Sequence, residues 1–150
     1  MKAKEVMSAD LITVKPSTTV KEIAGLFSKH RIGSVPVLDD RGQLVGLVTE
    51  TDLFLKKKGI PFSLVKAPTL FQQWVDADRI EEIYEQSRHH TAEDVMTRVV
   101  VCAQADQEVG DVACLMVRHG VKHIPVLQND RLVGMITRQD LIRSLVEGQP

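Results

Sequence analysis

Long apolar runs, cysteines, aromatic side chains and net charge are all scarce in this 150-residue chain, and each shortage removes a class of function. No apolar stretch approaches the roughly 20 residues that span a bilayer, and the opening Met1-Lys2-Ala3-Lys4-Glu5 lacks the apolar stretch of a secretory signal. A cytoplasmic address is therefore expected. The two cysteines, Cys102 and Cys114, lie in one half of the chain without CxxC spacing, so a disulfide scaffold is excluded and both are expected to be reduced packing residues. A formal net charge of −1 gives no global field to draw nucleic acid or an anionic membrane, and any anion site must be local. His89-His90 is an adjacent pair with no nearby cysteine or second carboxylate set, which gives no reason to expect a metal site. GxSxG, HExxH, the P-loop pattern and GxGxxG after a strand are all missing, so no intrinsic catalysis is expected.

What the chain does have is itself, twice. A shift of 89 positions lays Val6-Met7 onto Val95-Met96, His30 onto His119 and Pro36-Val37-Leu38 onto Pro125-Val126-Leu127. Gly42 has no counterpart, and past it Leu44-Val45-Gly46, Thr49, Asp52 and Leu53 fall on Leu132-Val133-Gly134, Thr137, Asp140 and Leu141. A unit of about 50 residues is small to bury a core alone, so the copies are expected to pack together and leave a cleft between them.

Each copy reads β-α-β-β-α. Leu11-Ile12-Thr13-Val14 and Val99-Val100-Val101-Cys102 are β-favouring runs. Ser17 and Asp106 are placed to cap the helix that follows, where Val20, Ile23, Ala24 and Phe27 match Val109, Val112, Ala113 and Met116 in one apolar stripe. A hairpin follows, from Ser34 to Val48 and from His123 to Ile136, and then a second helix. Residues 57–91 do not repeat. They hold Phe62, Phe71, Trp74 and Tyr84, with Phe54 just before, and are expected to form a structured helical insertion that covers a core edge or meets a partner. His30 and His119 occupy matching places near helix ends, where histidine satisfies terminal carbonyls.

The repeated Thr49-x-x-Asp52 and Thr137-x-x-Asp140 set a hydroxyl and a carboxylate on the first turn of a helix. Two carboxylate oxygens match the vicinal diol of a ribose, and the hydroxyl and nearby amides suit phosphate. The same spacing is also a plain helix-capping box. Repetition in register favours the ligand reading.

With these motifs the chain resembles the tandem cystathionine-beta-synthase (CBS) domains, whose paired form is called a Bateman module. The resemblance covers residues 3–56 and 92–146 and rests on Val-Met, Pro-Val-Leu, Leu-Val-Gly and Thr-x-x-Asp-Leu in both copies. It implies an α/β (α+β) fold of two pseudo-symmetric repeats packed through their sheets: repeat 1 over 1–56, the insertion over 57–91 and repeat 2 over 92–150. It implies a regulatory adenosyl ligand in the cleft, an adenine nucleotide (AMP, ADP or ATP), with S-adenosylmethionine or NAD as alternatives. Thr49, Asp52, Thr137 and Asp140 become ribose-binding residues, Ser34, Lys122, His123 and Arg138 phosphate-binding residues, and Thr13, Ile32, Cys102 and Val121 the adenine wall. Lys122, His123 and Arg138 stand where the first copy has Gly33, Ser34 and Glu50, so the two pockets are electrostatically unequal and at most one tight site per chain is expected. The resemblance also implies a homodimer forming a four-repeat disc and an effector protein that reads the bound state, with nucleic acid and membrane disfavoured as partners. The alternative is a non-catalytic scaffolding dimerisation module with vestigial clefts.

Overall fold

Short apolar runs broken by turn residues build small elements. In the computed structural model, which describes residues 1–55 and 89–147, the first repeat contains α1 (Ala3–Val6), α2 (Val20–His30), β1 (Ser34–Leu38), β2 (Leu44–Thr49) and α3 (Glu50–Leu55). The second contains α4 (Ala92–Val95), β3 (Ala103–Gln104), α5 (Val109–His119), β4 (His123–Gln128), β5 (Arg131–Thr137) and α6 (Arg138–Glu147). The class is mixed α+β with two small sheets, β1-β2 and β3-β4-β5, among the described residues. The insertion expected over 57–91 lies outside the described residues as far as residue 88. Among the described residues no helix is long and apolar enough to cross a membrane.

The helix stripe and the hairpin stand as expected. Val20, Ile23 and Phe27 are buried on α2, as Val112 and Met116 are on α5. In the first hairpin the Asp39 carboxylate accepts from the amides of Arg41 and Gln43, both at 2.9 Å, and Gly42 takes φ +76°. In the second, Asn129 and Asp130 both adopt positive φ, 50° and 61°, the two-residue turn whose twist suits antiparallel strands.

Two local expectations are corrected. The opening strands are almost absent: among the described residues Leu11-Thr13 and Val99-Cys102 run without ladder bonds, and parallel pairing is confined to the bridge Val14↔Val37 and to Ala103↔Val126 and Gln104↔Leu127. β-branched runs favour extended backbone, but only a neighbour with open donors and acceptors makes a strand, and the Pro-Val-Leu strand offers that neighbour over one or two residues. Ser17 and Asp106 are not the caps either. Thr19 caps α2, its hydroxyl accepting from the Glu22 amide at 3.2 Å while the Glu22 carboxylate accepts from the Thr19 amide at 2.8 Å. Donation to that carboxylate by the Thr19 amide and then by the Thr19 hydroxyl, the latter at 3.0 Å, holds the Glu22 carboxyl below its ordinary value. In the second repeat Glu108 holds the cap position without a side-chain cap bond, and its carboxylate meets Lys2 Nζ at 2.6 Å instead.

The repeated Val-Met marks short helices that change places. The α1 segment runs along the second repeat, where Ala3 N donates to Gln107 O at 2.8 Å and Ser8 pairs with Met135 through bonds of 2.9 and 3.0 Å. The α4 segment does the same on the first repeat: Val20 N donates to His90 O at 2.7 Å, and Thr97 pairs with Leu47. Packing units therefore cut across the sequence repeats. One takes Met1–Thr13, Leu38–Val45 and the described residues from Arg98 on; the other takes Val14–Val37 and the described residues from Gly46 to Thr97. The methionines explain the repeated glycines, since a Cβ on Gly46 would lie 2.8 Å from Met96 Cγ and one on Gly134 would lie 2.7 Å from Met7 Cγ.

Both long helices end in a left-handed residue, Gly120 (φ 64°) and Arg31 (φ 52°), followed by Val121 and Ile32, whose amides donate to Met116 O at 3.1 Å and Phe27 O at 3.2 Å. Glycine meets no Cβ penalty there and arginine does. Arg31→Gly is expected to stabilise the fold by about 0.5–1 kcal/mol, read as a higher urea midpoint. An unchanged or lower midpoint would mean the left-handed cap carries no strain.

Candidate ligand-binding site

Two strand-to-helix junctions carry the polar chemistry, one per repeat. At the first, the amide and hydroxyl of Thr49 donate to Asp52 Oδ2 at 3.0 and 3.2 Å. At the second, those of Thr137 donate to Asp140 Oδ2 at 2.7 Å each, and the Asp140 amide returns a bond to Thr137 Oγ1 at 3.3 Å. The capping arrangement is thus real in both repeats. Asp52 is 3% exposed and the Asp140 side chain 13%, so both carboxylates depend on hydrogen bonds for their solvation.

The segment before the Pro-Val-Leu strand is tied to each junction by one backbone bond. Glu50 N donates to Gly33 O at 3.1 Å, and Arg138 N to Lys122 O at 3.2 Å. The second repeat gathers more: β4 and β5 place His123 opposite Thr137, so Lys122, His123, Arg138, Thr137 and Asp140 are brought together. In the first repeat the tie brings Ser34, next to Gly33, to the junction that carries Thr49 and Asp52. Ile32 and Val121, half-buried, are fixed by the helix-end bonds described above. Thr13 is exposed, precedes the Val14 bridge, and clusters with the unit that holds the second repeat's set.

Arg143 is an addition that motif reading missed. Its Nη1 lies 3.7 Å from Asp140 Oδ1 across one helical turn, and with the arginine side chain 64% exposed this pairing is weak. The i,i+3 spacing on α6 was the available signal.

Cys102 and Cys114 part company. Cys102 is half-buried beside β3, its Sγ 3.6 Å from Val100 O, and burial pushes its thiol above the ordinary 9.0. Cys114 is exposed on α5, which corrects its reading as a packing residue. Because thiolate is the reactive form, Cys114 is expected to react with a soluble thiol reagent at neutral pH about tenfold or more faster than Cys102. Peptide mass mapping over time reads this, and equal rates would contradict it. His90 Nδ1 lies 3.5 Å from Asp94 Oδ2, and no group of three or more His, Cys, Asp or Glu among the described residues could hold a metal ion.

Comparison with known proteins decides the family. The CBS domain family model matches residues 3–58 and 92–147. This chain belongs to the CBS domain family. As a CBS pair it is 31% identical to MJ1426 of Methanocaldococcus jannaschii, over 97% of this chain and 92% of that protein. It is 35% identical to the solved CBS domain of a CBS domain-containing membrane protein from Sphaerobacter thermophilus, with a TM-score of 0.70 over 95% of this chain and 86% of that one. The CBS domain pair of protein MJ0100, solved in complex with methylthioadenosine and S-adenosyl-L-methionine, is 27% identical with a TM-score of 0.71, over 99% of this chain and 98% of that one. Other relatives are longer, and the CBS pair spans 60% and 42% of two of them.

Proposed function

We propose that this CBS pair is a regulatory module that binds an adenosyl ligand and passes its bound state to a partner protein. One observation carries the reading: in each repeat a buried carboxylate is held at a helix start by the threonine three residues before it, in register with its twin. A threonine-oriented carboxylate of this kind suits the two hydroxyls of a ribose. The MJ0100 pair, with its two adenosyl compounds, supports that class. Asp52 and Asp140 take the ribose, while Ile32, Val121, Thr13 and Cys102 flank the base. Lys122, His123 and Arg138 make the second repeat the better host for phosphates, whereas Ser34 offers the first repeat only a hydroxyl. The signal is a shift of population: a ligand that prefers one conformation tenfold biases it by about 1.4 kcal/mol. Two copies pair to form the working unit.

A scaffold with vestigial sites is the rival, and one observation favours it. Oδ2 of each aspartate is already engaged as a cap. Thermal shift against AMP, ADP, ATP, S-adenosylmethionine and NAD separates the two, because a ligand that binds only the folded state at about 100 times its Kd stabilises it by roughly 2.7 kcal/mol. The sensor melts higher with at least one compound. No shift with any of the five would leave the scaffold.

A further inference from the structure

The Asp140 carboxylate presents two unequal oxygens. Oδ2 is filled by the cap, accepting from the amide and the hydroxyl of Thr137 at 2.7 Å each, and two donors use both of its lone pairs. A hydroxyl brought to this carboxylate must therefore be accepted by Oδ1. Among the described residues the charged group paired with Oδ1 is the guanidinium of Arg143, with Nη1 3.7 Å away. An N–H···O bond closes at about 2.7–3.2 Å, so the two groups attract without bonding. One oxygen fits between them: a hydroxyl about 2.7 Å from Oδ1 and about 2.9 Å from Nη1 gives its proton to the first and a lone pair to the second.

The pair does little for stability. Its arginine side chain is 64% exposed, and exposed ion pairs of this kind are worth little. Glu147, the i+4 neighbour on α6, would serve as well, yet among the described residues it forms no ion pair with Arg143, whose guanidinium turns back toward the junction. The matching place in the first repeat holds Leu55, so this donor belongs to the second repeat alone.

We propose that Arg143 is a specificity-determining residue that closes a clamp with Asp140 on one ribose hydroxyl, a role that rests on the ribose reading above and adds to it the ligand class selected. The hydroxyl donates to Asp140 Oδ1 and accepts from the Arg143 guanidinium. An adenosyl ligand with that hydroxyl unmodified satisfies both groups, whereas a deoxy sugar satisfies neither and leaves a largely buried carboxylate oxygen without its donor. Discrimination is thus built into the second repeat.

Calorimetric titration of the whole chain with AMP, adenosine, 2′-deoxy-AMP and 3′-deoxy-AMP tests the clamp. Arg143→Met is expected to weaken AMP and adenosine alike by about tenfold, and to leave the deoxy analogue that lacks the clamped hydroxyl within about threefold of its wild-type affinity. Arg143→Lys keeps a donor, so its preference for AMP over that analogue is expected to stay within about threefold of wild type. Circular dichroism of both variants is expected to match wild type. Loss of AMP affinity with adenosine unchanged, or equal loss for AMP and both deoxy analogues, would give Arg143 to the phosphate and overturn the clamp. Unchanged AMP affinity in Arg143→Met would overturn it too, and a lysine variant as impaired as the methionine one would contradict a donated bond. Wild type that binds no AMP sinks the clamp, and the sensor falls with it only if ADP, ATP, S-adenosylmethionine and NAD also give no thermal shift.

Discussion

Gly46→Val is expected to cost about 3–4 kcal/mol, a large share of the roughly 5–15 kcal/mol that holds a domain together. The added Cβ would meet Met96 Cγ at 2.8 Å and Cβ at 3.1 Å, and Met96 is only 8% exposed, so the thioether must leave a buried place to make room. Moving it also loosens the Thr97–Leu47 bonds that follow it in the chain. The equivalent Gly134→Val meets Met7, which is half-buried and yields more easily, so its cost is expected to be smaller. Urea unfolding of both variants reads the order. A Met96→Ala change in the Gly46→Val background is expected to recover about 1 kcal/mol, and strict additivity would contradict the contact.

The second large effect belongs to the aspartates. A charged hydrogen bond is worth about 1.5–3 kcal/mol, so two to a ribose diol make loss of the carboxylate that holds the ligand, by Asp140→Ala or by Asp52→Ala according to which repeat is occupied, a loss of about 100-fold or more in affinity for an adenosyl ligand. The same substitutions remove a cap, at about 0.5–2 kcal/mol of stability. Thr137→Ala separates the two roles, because it removes a hydroxyl bond to Asp140 Oδ2 and leaves both the carboxylate and the backbone donor of residue 137. Its affinity is expected to fall far less than that of Asp140→Ala.

Much of this architecture was legible in the residues because it is periodic or local. The stripe through Val20, Ile23 and Phe27, the turn chemistry of Asp39 to Gly42 and of Asn129-Asp130, and the threonine-to-aspartate bonds all depend on neighbours within a few positions. What escaped depends on distant partners. Leu11 to Val14 has strand propensity, yet its ladder is a single bridge because the neighbouring strand is met at Val37 alone. Ser17 is a good capping residue, but Thr19 carries the glutamate three positions on that closes a box. The pairing of Met7 with Gly134 and of Met96 with Gly46 left a trace, since each residue is repeated at its place. Nothing local says that the methionine of one copy serves the glycine of the other. The ribose reading started from the repeated threonine and aspartate spacing, whereas the base roles and the phosphate roles of Ser34, Lys122, His123 and Arg138 came from the family resemblance, and the junctions show how the chain orders those residues.

Calorimetric titration of the adenosyl compound that gives the largest thermal shift, into wild type, Asp52→Ala, Asp140→Ala and Thr137→Ala, tests the central claim most directly. The account predicts heat of binding in wild type, a loss of about 100-fold or more for at least one aspartate variant, and a much smaller change for Thr137→Ala. Wild-type affinity retained in both aspartate variants, each still folded, would contradict it and leave the two carboxylates as caps.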